Sequence, residues 1–156
     1  FWGAGGMVTT NLGGYDAAND LAISGGHVIV VGYSDNKIAI VKYTAAGGLD
    51  TSFSGDGKVV ATLGFASPQL SSVTLQGTKI IVVGNTNASG VGTSLVVRFT
   101  AGGAIDTTFS GDGIVTTNWG AGAEEYYGVL FKNSRIYVVG RSFTTVNRFI
   151  IGAYEP

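Results

Sequence analysis

Phe53-Ser54-Gly55-Asp56-Gly57 and Phe109-Ser110-Gly111-Asp112-Gly113 are one motif written twice, and Phe1-Trp2-Gly3-Ala4-Gly5 is a worn third copy at the head of the chain. Each copy is followed 31 residues later by the glycine that closes a hydrophobic run: Val28-Ile29-Val30-Val31-Gly32, Ile80-Ile81-Val82-Val83-Gly84 and Ile136-Tyr137-Val138-Val139-Gly140. The repeat is therefore 52 to 56 residues long. Repetition at this period, carried by short apolar runs, belongs to radial or stacked β architectures, where each unit buries its face only against its neighbours.

Composition agrees. The 156 residues include 26 glycines, two prolines and no cysteine, and only 12% are charged. Val, Ile, Thr, Tyr and Phe dominate over Glu, Lys and Gln, the balance of strands rather than helices. The expected fold class is all-β, a single domain over residues 1–156 with repeats at about 1–52, 53–108 and 109–156. A net charge of −1 with dispersed basic residues argues against nucleic acid, which needs a concentrated positive footprint. The longest apolar runs are five to seven residues, too short for membrane insertion as a helix. Absence of cysteine excludes a disulfide framework. No signal peptide is visible, and an opening Phe1 reads as a processed or trimmed product.

Each repeat reads as four short strands, a to d. Strand a is expected over residues 17–23, 70–75 and 126–131, and strand b over the hydrophobic runs above. Strand c falls at 38–43, 95–99 and 149–154, and strand d at 7–10, 58–62 and 114–117. The b runs are apolar on both faces, as expected of strands sandwiched between sheets. Gly25-Gly26, Gly77-Thr78 and Asn133-Ser134 are hairpin signals between a and b. Four antiparallel strands in about 50 residues make one propeller blade, so three four-stranded blades per chain are expected. In chain order the elements run d, abcd, abcd, abc, which leaves a d strand at one end to complete a blade at the other. Propellers typically carry four to eight blades. Two chains would therefore close a six-bladed ring, a homodimer in which each N-terminal d strand completes its partner's last blade and no open edge remains. A nine-bladed ring from three chains is less economical. The other route is that neighbouring blades come from a longer chain, of which these repeats are a fragment.

The segments from Tyr43 to Val59 and from Phe99 to Gly113 share an aromatic residue, a glycine turn and then Leu49-Asp50-Thr51-Ser52-Phe53 or Ile105-Asp106-Thr107-Thr108-Phe109 before Gly-Asp-Gly. This pattern resembles the delta-60 repeat family of bacterial surface proteins and phage structural proteins. The resemblance implies a β-propeller without established activity in an extracellular, cell-surface or virion-associated setting. It supplies no catalytic residues.

Asp50, Asp56, Asp106 and Asp112 invite a calcium reading, because that ion takes closely spaced carboxylates and carbonyls. Two carboxylates six residues apart are half a ligand set, however, and the spacing is not that of an EF-hand loop. A turn is the favoured reading: the aspartates accept backbone N–H groups, the glycines supply positive φ, and Phe53 and Phe109 plug the space between blades. No metal and no cofactor is expected. Neither a zinc site nor a catalytic triad can be assembled from one histidine, His27, and no cysteine.

Binding chemistry is expected on the b–c and d–a loops, which lie at the same end of a blade. The candidate ligand-binding residues are Tyr15, Asp16, Tyr33, Asp35, Asn36, Asn85, Asn87, Glu124, Arg141 and Asn147. Aromatic rings beside amides and carboxylates suit sugars, whose C–H faces stack while their hydroxyls hydrogen-bond. The plainer alternative is polar surface sealed by one aromatic per blade; Trp119, which aligns with Leu12 and Leu63, reads as packing. Asp16 and Glu124 share one repeat position, which a glycosidase would need as a carboxylate pair across a cleft, but nothing else supports catalysis. The expected function is a non-enzymatic binding or adhesion module, with glycan or another surface protein as partner. The alternatives are a structural component of a surface or virion assembly and, more distantly, a carbohydrate-active enzyme.

Overall fold

The computed structural model describes residues 2–86, 92–119 and 122–156. It contains three antiparallel sheets. The first is β1 (Asp16–Ser24), β2 (His27–Ser34), β3 (Lys37–Tyr43) and β4 (Lys58–Ala61), hydrogen-bonded in that order. The second repeats it as β5 (Gln69–Gln76), β6 (Lys79–Thr86), β7 (Thr93–Phe99) and β8 (Ile114–Thr117). The third holds β9 (Ala123–Lys132), β10 (Arg135–Phe143) and β11 (Asn147–Tyr154). The a strands β1, β5 and β9 pack side by side where the blades converge.

Among the described residues the third sheet holds the a, b and c strands that the chain order leaves it, beside two four-stranded sheets. The expected d strand at the head of the chain is the exception. Residues 7–10 are not a strand: apart from an isolated bridge between Ala4 and Met7 they join no ladder. The physical reason is that a d strand exists by pairing with the c strand of its own blade, and among the described residues no such strand lies beside this segment.

The glycine that ends each hydrophobic run has a mechanical cause. Every a strand carries a register shift opposite the b strand, at Ala18/Asp20, Leu70/Ser72 and next to Gly140. The shift drives a carbonyl against the facing residue: a Cβ on Gly32, Gly84 or Gly140 would stand 1.9 Å from the oxygen of Ala17, Gln69 or Glu125. No side chain fits, so a β-bulge and a glycine recur together.

The blades are held by two apolar clusters. Ile29, Val31, Ile38 and Ile40 of the first blade meet Leu70, Ile80, Val82, Leu95 and Val97 of the second, with Phe53 between them. Ile81, Val83 and Val96 on the other face of the second blade meet Tyr126, Ile136 and Val138 of the third, with Phe109 between. The central b strand β6 is thus buried on both sides. Its equivalents β2 and β10 are buried on one side only, although their sequences are equally apolar.

Candidate functional site

The loops divide between two ends of the blades. At one end lie the a–b hairpins and the c–d turns. Asp50 accepts the Ser52 hydroxyl at 2.6 Å and Lys42 Nζ at 3.0 Å, with His27 Nε2 3.5 Å away. One repeat later, Asp106 accepts the Thr108 hydroxyl at 2.7 Å, Arg98 Nε at 2.8 Å and Lys79 Nζ at 2.8 Å. The Ser52 hydroxyl and then the Lys42 ammonium hold the Asp50 carboxyl down at about 2. Lys79 and then Thr108 push Asp106 well below the usual carboxylate range. Asp56 and Asp112 accept the N–H groups of Lys58 and Ile114, both at 2.9 Å. Phe53 and Phe109 are buried, each receiving the N–H of the last glycine of its motif at 2.7 Å on its carbonyl. These oxygens are engaged with protein donors, and the segment acts as a charged latch under each aromatic plug.

The latch partners escaped the sequence reading. Arg98 precedes Asp106 by eight residues across the c–d connection while Lys79 stands on a different strand, so no local motif announces the group. His27 also sits beside Asp50, its side chain 38% exposed.

At the opposite end, the b–c and d–a loops interlace. Asp35 donates its N–H to the Tyr15 carbonyl and receives the Tyr15 N–H on Oδ1, at 2.9 and 2.8 Å. Ser67 of the next blade donates to Asn36 Oδ1 at 3.1 Å. Glu124 N–H reaches the Gly92 carbonyl of the preceding blade at 2.9 Å. Tyr15 stacks on Tyr33, ring centroids 6.4 Å apart and planes 26° apart. Tyr15 is 75% exposed. The first blade therefore presents a stacked aromatic pair, with Asp35 and Asn36 forming the adjoining short hairpin in which Asp35 takes φ 50°.

The other candidates do not join this group. Asp16 accepts Leu12 N–H at 2.8 Å, and the Ser34 hydroxyl followed by that N–H holds its carboxyl below the ordinary value. Glu124, its equivalent, is fully buried and accepts Trp119 N–H at 3.0 Å. Both carboxylates fasten their own d–a loops, on blades separated by the whole second blade. Asn85 lies within β6 between Gln69 and Ser94. Arg141 grips Glu125 through two hydrogen bonds of 3.1 Å, with the Tyr127 ring 5.9 Å from its guanidinium and the Tyr127 hydroxyl donating to the same carboxylate. Partial burial works to raise the Glu125 carboxyl, yet these donors outweigh it and hold the group below its usual range. Asn147 opens β11 on the exposed rim. Asn87 lies outside the described residues. Trp119 is 56% exposed and donates its indole N–H to the Tyr126 hydroxyl at 3.2 Å.

Residues 26–53 and 79–109 match the model of a family described as a β-propeller domain of unknown function, DUF5122. The first match begins in the a–b turn of the first blade and the second at the start of β6, one repeat position later, and each ends on the aromatic plug. No curated protein matches the chain. The sheet topology, the inter-blade plugs and the two family matches together identify this chain's architecture as that of a β-propeller repeat protein.

Proposed function

We propose that this protein is a non-enzymatic extracellular or surface-associated binding module of the delta-60 repeat type, its blades completed to a six-bladed ring by a second chain, and that its ligand is a glycan. The observation that carries the ligand reading is the stacked Tyr15–Tyr33 pair, with Tyr15 exposed and Asp35 and Asn36 in the adjoining hairpin. Ring faces provide apolar contact for a sugar's C–H surface, and the carboxylate and amide supply the directional hydrogen bonds. One such shallow site per chain binds weakly, and presenting two copies on one ring multiplies the affinity. The second reading, a structural piece of a surface or virion assembly, draws on the open apolar face of the third blade, where Phe149 is 97% exposed.

A glycan array probed with the native protein tests the proposal, with Tyr15→Ala and Tyr33→Ala in parallel. Retention of a defined class of glycan, lost at least tenfold in both variants at unchanged melting temperature, is the expected result. No glycan retained, or retention indifferent to both substitutions, would refute it.

A further inference from the structure

The N-terminal segment keeps the contacts of a d strand although it has no blade of its own. Trp2 abuts Gly47 as Phe53 abuts Gly103, and Val8 and Val59 approach the same two glycines. Gly3 donates its N–H to the Ala46 carbonyl at 3.5 Å as Ser54 does to the Gly102 carbonyl at 2.9 Å. The Thr10 hydroxyl meets the Tyr43 hydroxyl at 2.7 Å, and Thr117 in β8 meets Tyr154 of the following blade at 2.6 Å. Trp2 therefore takes the place of a plug, Phe1 lying outside the described residues, and residues 7–10 stand to the first blade as β4 stands to the second and β8 to the third. They occupy the place that a last strand takes against the following blade, without being paired as one.

The opposite end of the chain lacks that very strand. In β3, Ile38 and Ile40 pair with Ala61 and Val59 and are fully buried. In β7, Ser94 and Val96 pair with Thr117 and Val115 and are fully buried too. The corresponding residues of β11, opposite Arg141 and Val139, are Phe149 and Ile151, exposed to 97% and 74%. The free face of the first blade complements them. A cavity of about 470 Å³ opens there under residues 8–12, lined by Ala18, Leu21, Val28, Val30 and Val41. Those residues hold the positions that in the second blade receive Ile29, Val31, Ile38 and Ile40.

We infer that the occupant of both surfaces is a second copy of this chain: residues 7–10 of one copy add to β11 of the other as an antiparallel fourth strand, Val8 opposite Ile151 and Thr10 opposite Phe149. The first blade's cavity then receives the partner's Val139 and Ile151 side chains. The register follows from the two complete blades, and a one-residue slip would turn Val8 out of the interface. This assignment deepens the proposed ring but is independent of any ligand.

The chain has no cysteine, so the register can be read by cross-linking. Val8→Cys with Ile151→Cys in one chain, under mild oxidation, is expected to give a covalent species of two chains. Thr9→Cys with Ile151→Cys, whose thiols face opposite sides, is expected to give at least tenfold less. A cross-link of equal yield in both, a ladder of open oligomers, or no link at all would overturn the inference; the last result would assign β11 to another repeat of a longer chain. Phe149→Arg with Ile151→Arg provides a second reading, because these exposed positions are not needed for the lone chain to fold. It is expected to release single chains with strand content intact, and a particle of unchanged mass would contradict the assignment. Neither measurement involves a glycan, so failure of the ligand reading leaves both results standing.

Discussion

Truncating Phe53 to alanine tests how the blades are held together. Its ring is fully buried between the first two blades. A Cβ built on Gly103 would come within 2.9 Å of it, so the second blade's turn rests directly on the ring. Lys42 Nζ lies 5.9 Å from the ring centroid and covers its outer side. Removing a buried phenyl group costs about 3–5 kcal/mol when the surroundings cannot collapse into the space, and a turn clamped by the Asp50 latch is poorly placed to collapse. Against a net stability of about 5–15 kcal/mol, that is a large share. With a urea dependence of about 2 kcal/mol per molar, the unfolding midpoint should fall by roughly 1.5–2.5 M at unchanged slope. Urea titration followed by far-ultraviolet circular dichroism measures it. Phe109→Ala should behave alike, because Phe109 fills the equivalent place before the third blade. A loss below about 1 kcal/mol at either position, the level of ordinary surface substitutions, would refute the reading of these aromatics as inter-blade plugs.

The latch and the bulge give further expectations. Asp106→Ala should destabilise more than Asp50→Ala, because it strands the buried Arg98 guanidinium whereas Lys42 keeps access to water; parallel thermal melts check the order. Both aspartates have folded-state pKa values depressed below the unfolded value of about 3.9, so their contribution is complete above about pH 5 and is lost as pH falls from 4 towards 2. Melting temperature against pH should show that decline in the parent and a shallower one in a variant lacking both. Gly84→Ala should destabilise by about 1–3 kcal/mol or more, since its methyl group would meet the Gln69 carbonyl in the most enclosed sheet; an unchanged urea midpoint would contradict the bulge argument.

Much of this architecture was legible in the sequence. The five-residue motif and the glycine-terminated runs set the period, and the runs carried enough β-branched residues to fix the b strands to within a few residues. Residues 7–10 were misread for a physical reason: alternation marks a segment able to pair, while a strand also needs its neighbour. The burial of Ile40 and the exposure of Ile151 show the same limit, because equivalent residues differ only in whether a next blade is present. At the end that carries the b–c and d–a loops, residue types located Tyr15, Tyr33, Asp35 and Asn36 on adjacent loops. They could not show that Glu124 turns inward to fasten its loop, or that Arg141 is occupied by Glu125. Such pairings depend on which loops the blade packing brings together.

Closure of the proposed ring requires that residues 7–10 and β11 of two copies serve one another. Native mass spectrometry of the purified protein, with light scattering across a dilution series, tests that requirement most directly. A discrete particle of two chains, persisting on dilution and lost on Phe149→Arg with Ile151→Arg, is the predicted result. A chain that remains single throughout the series, or associates without a defined stoichiometry, would contradict it.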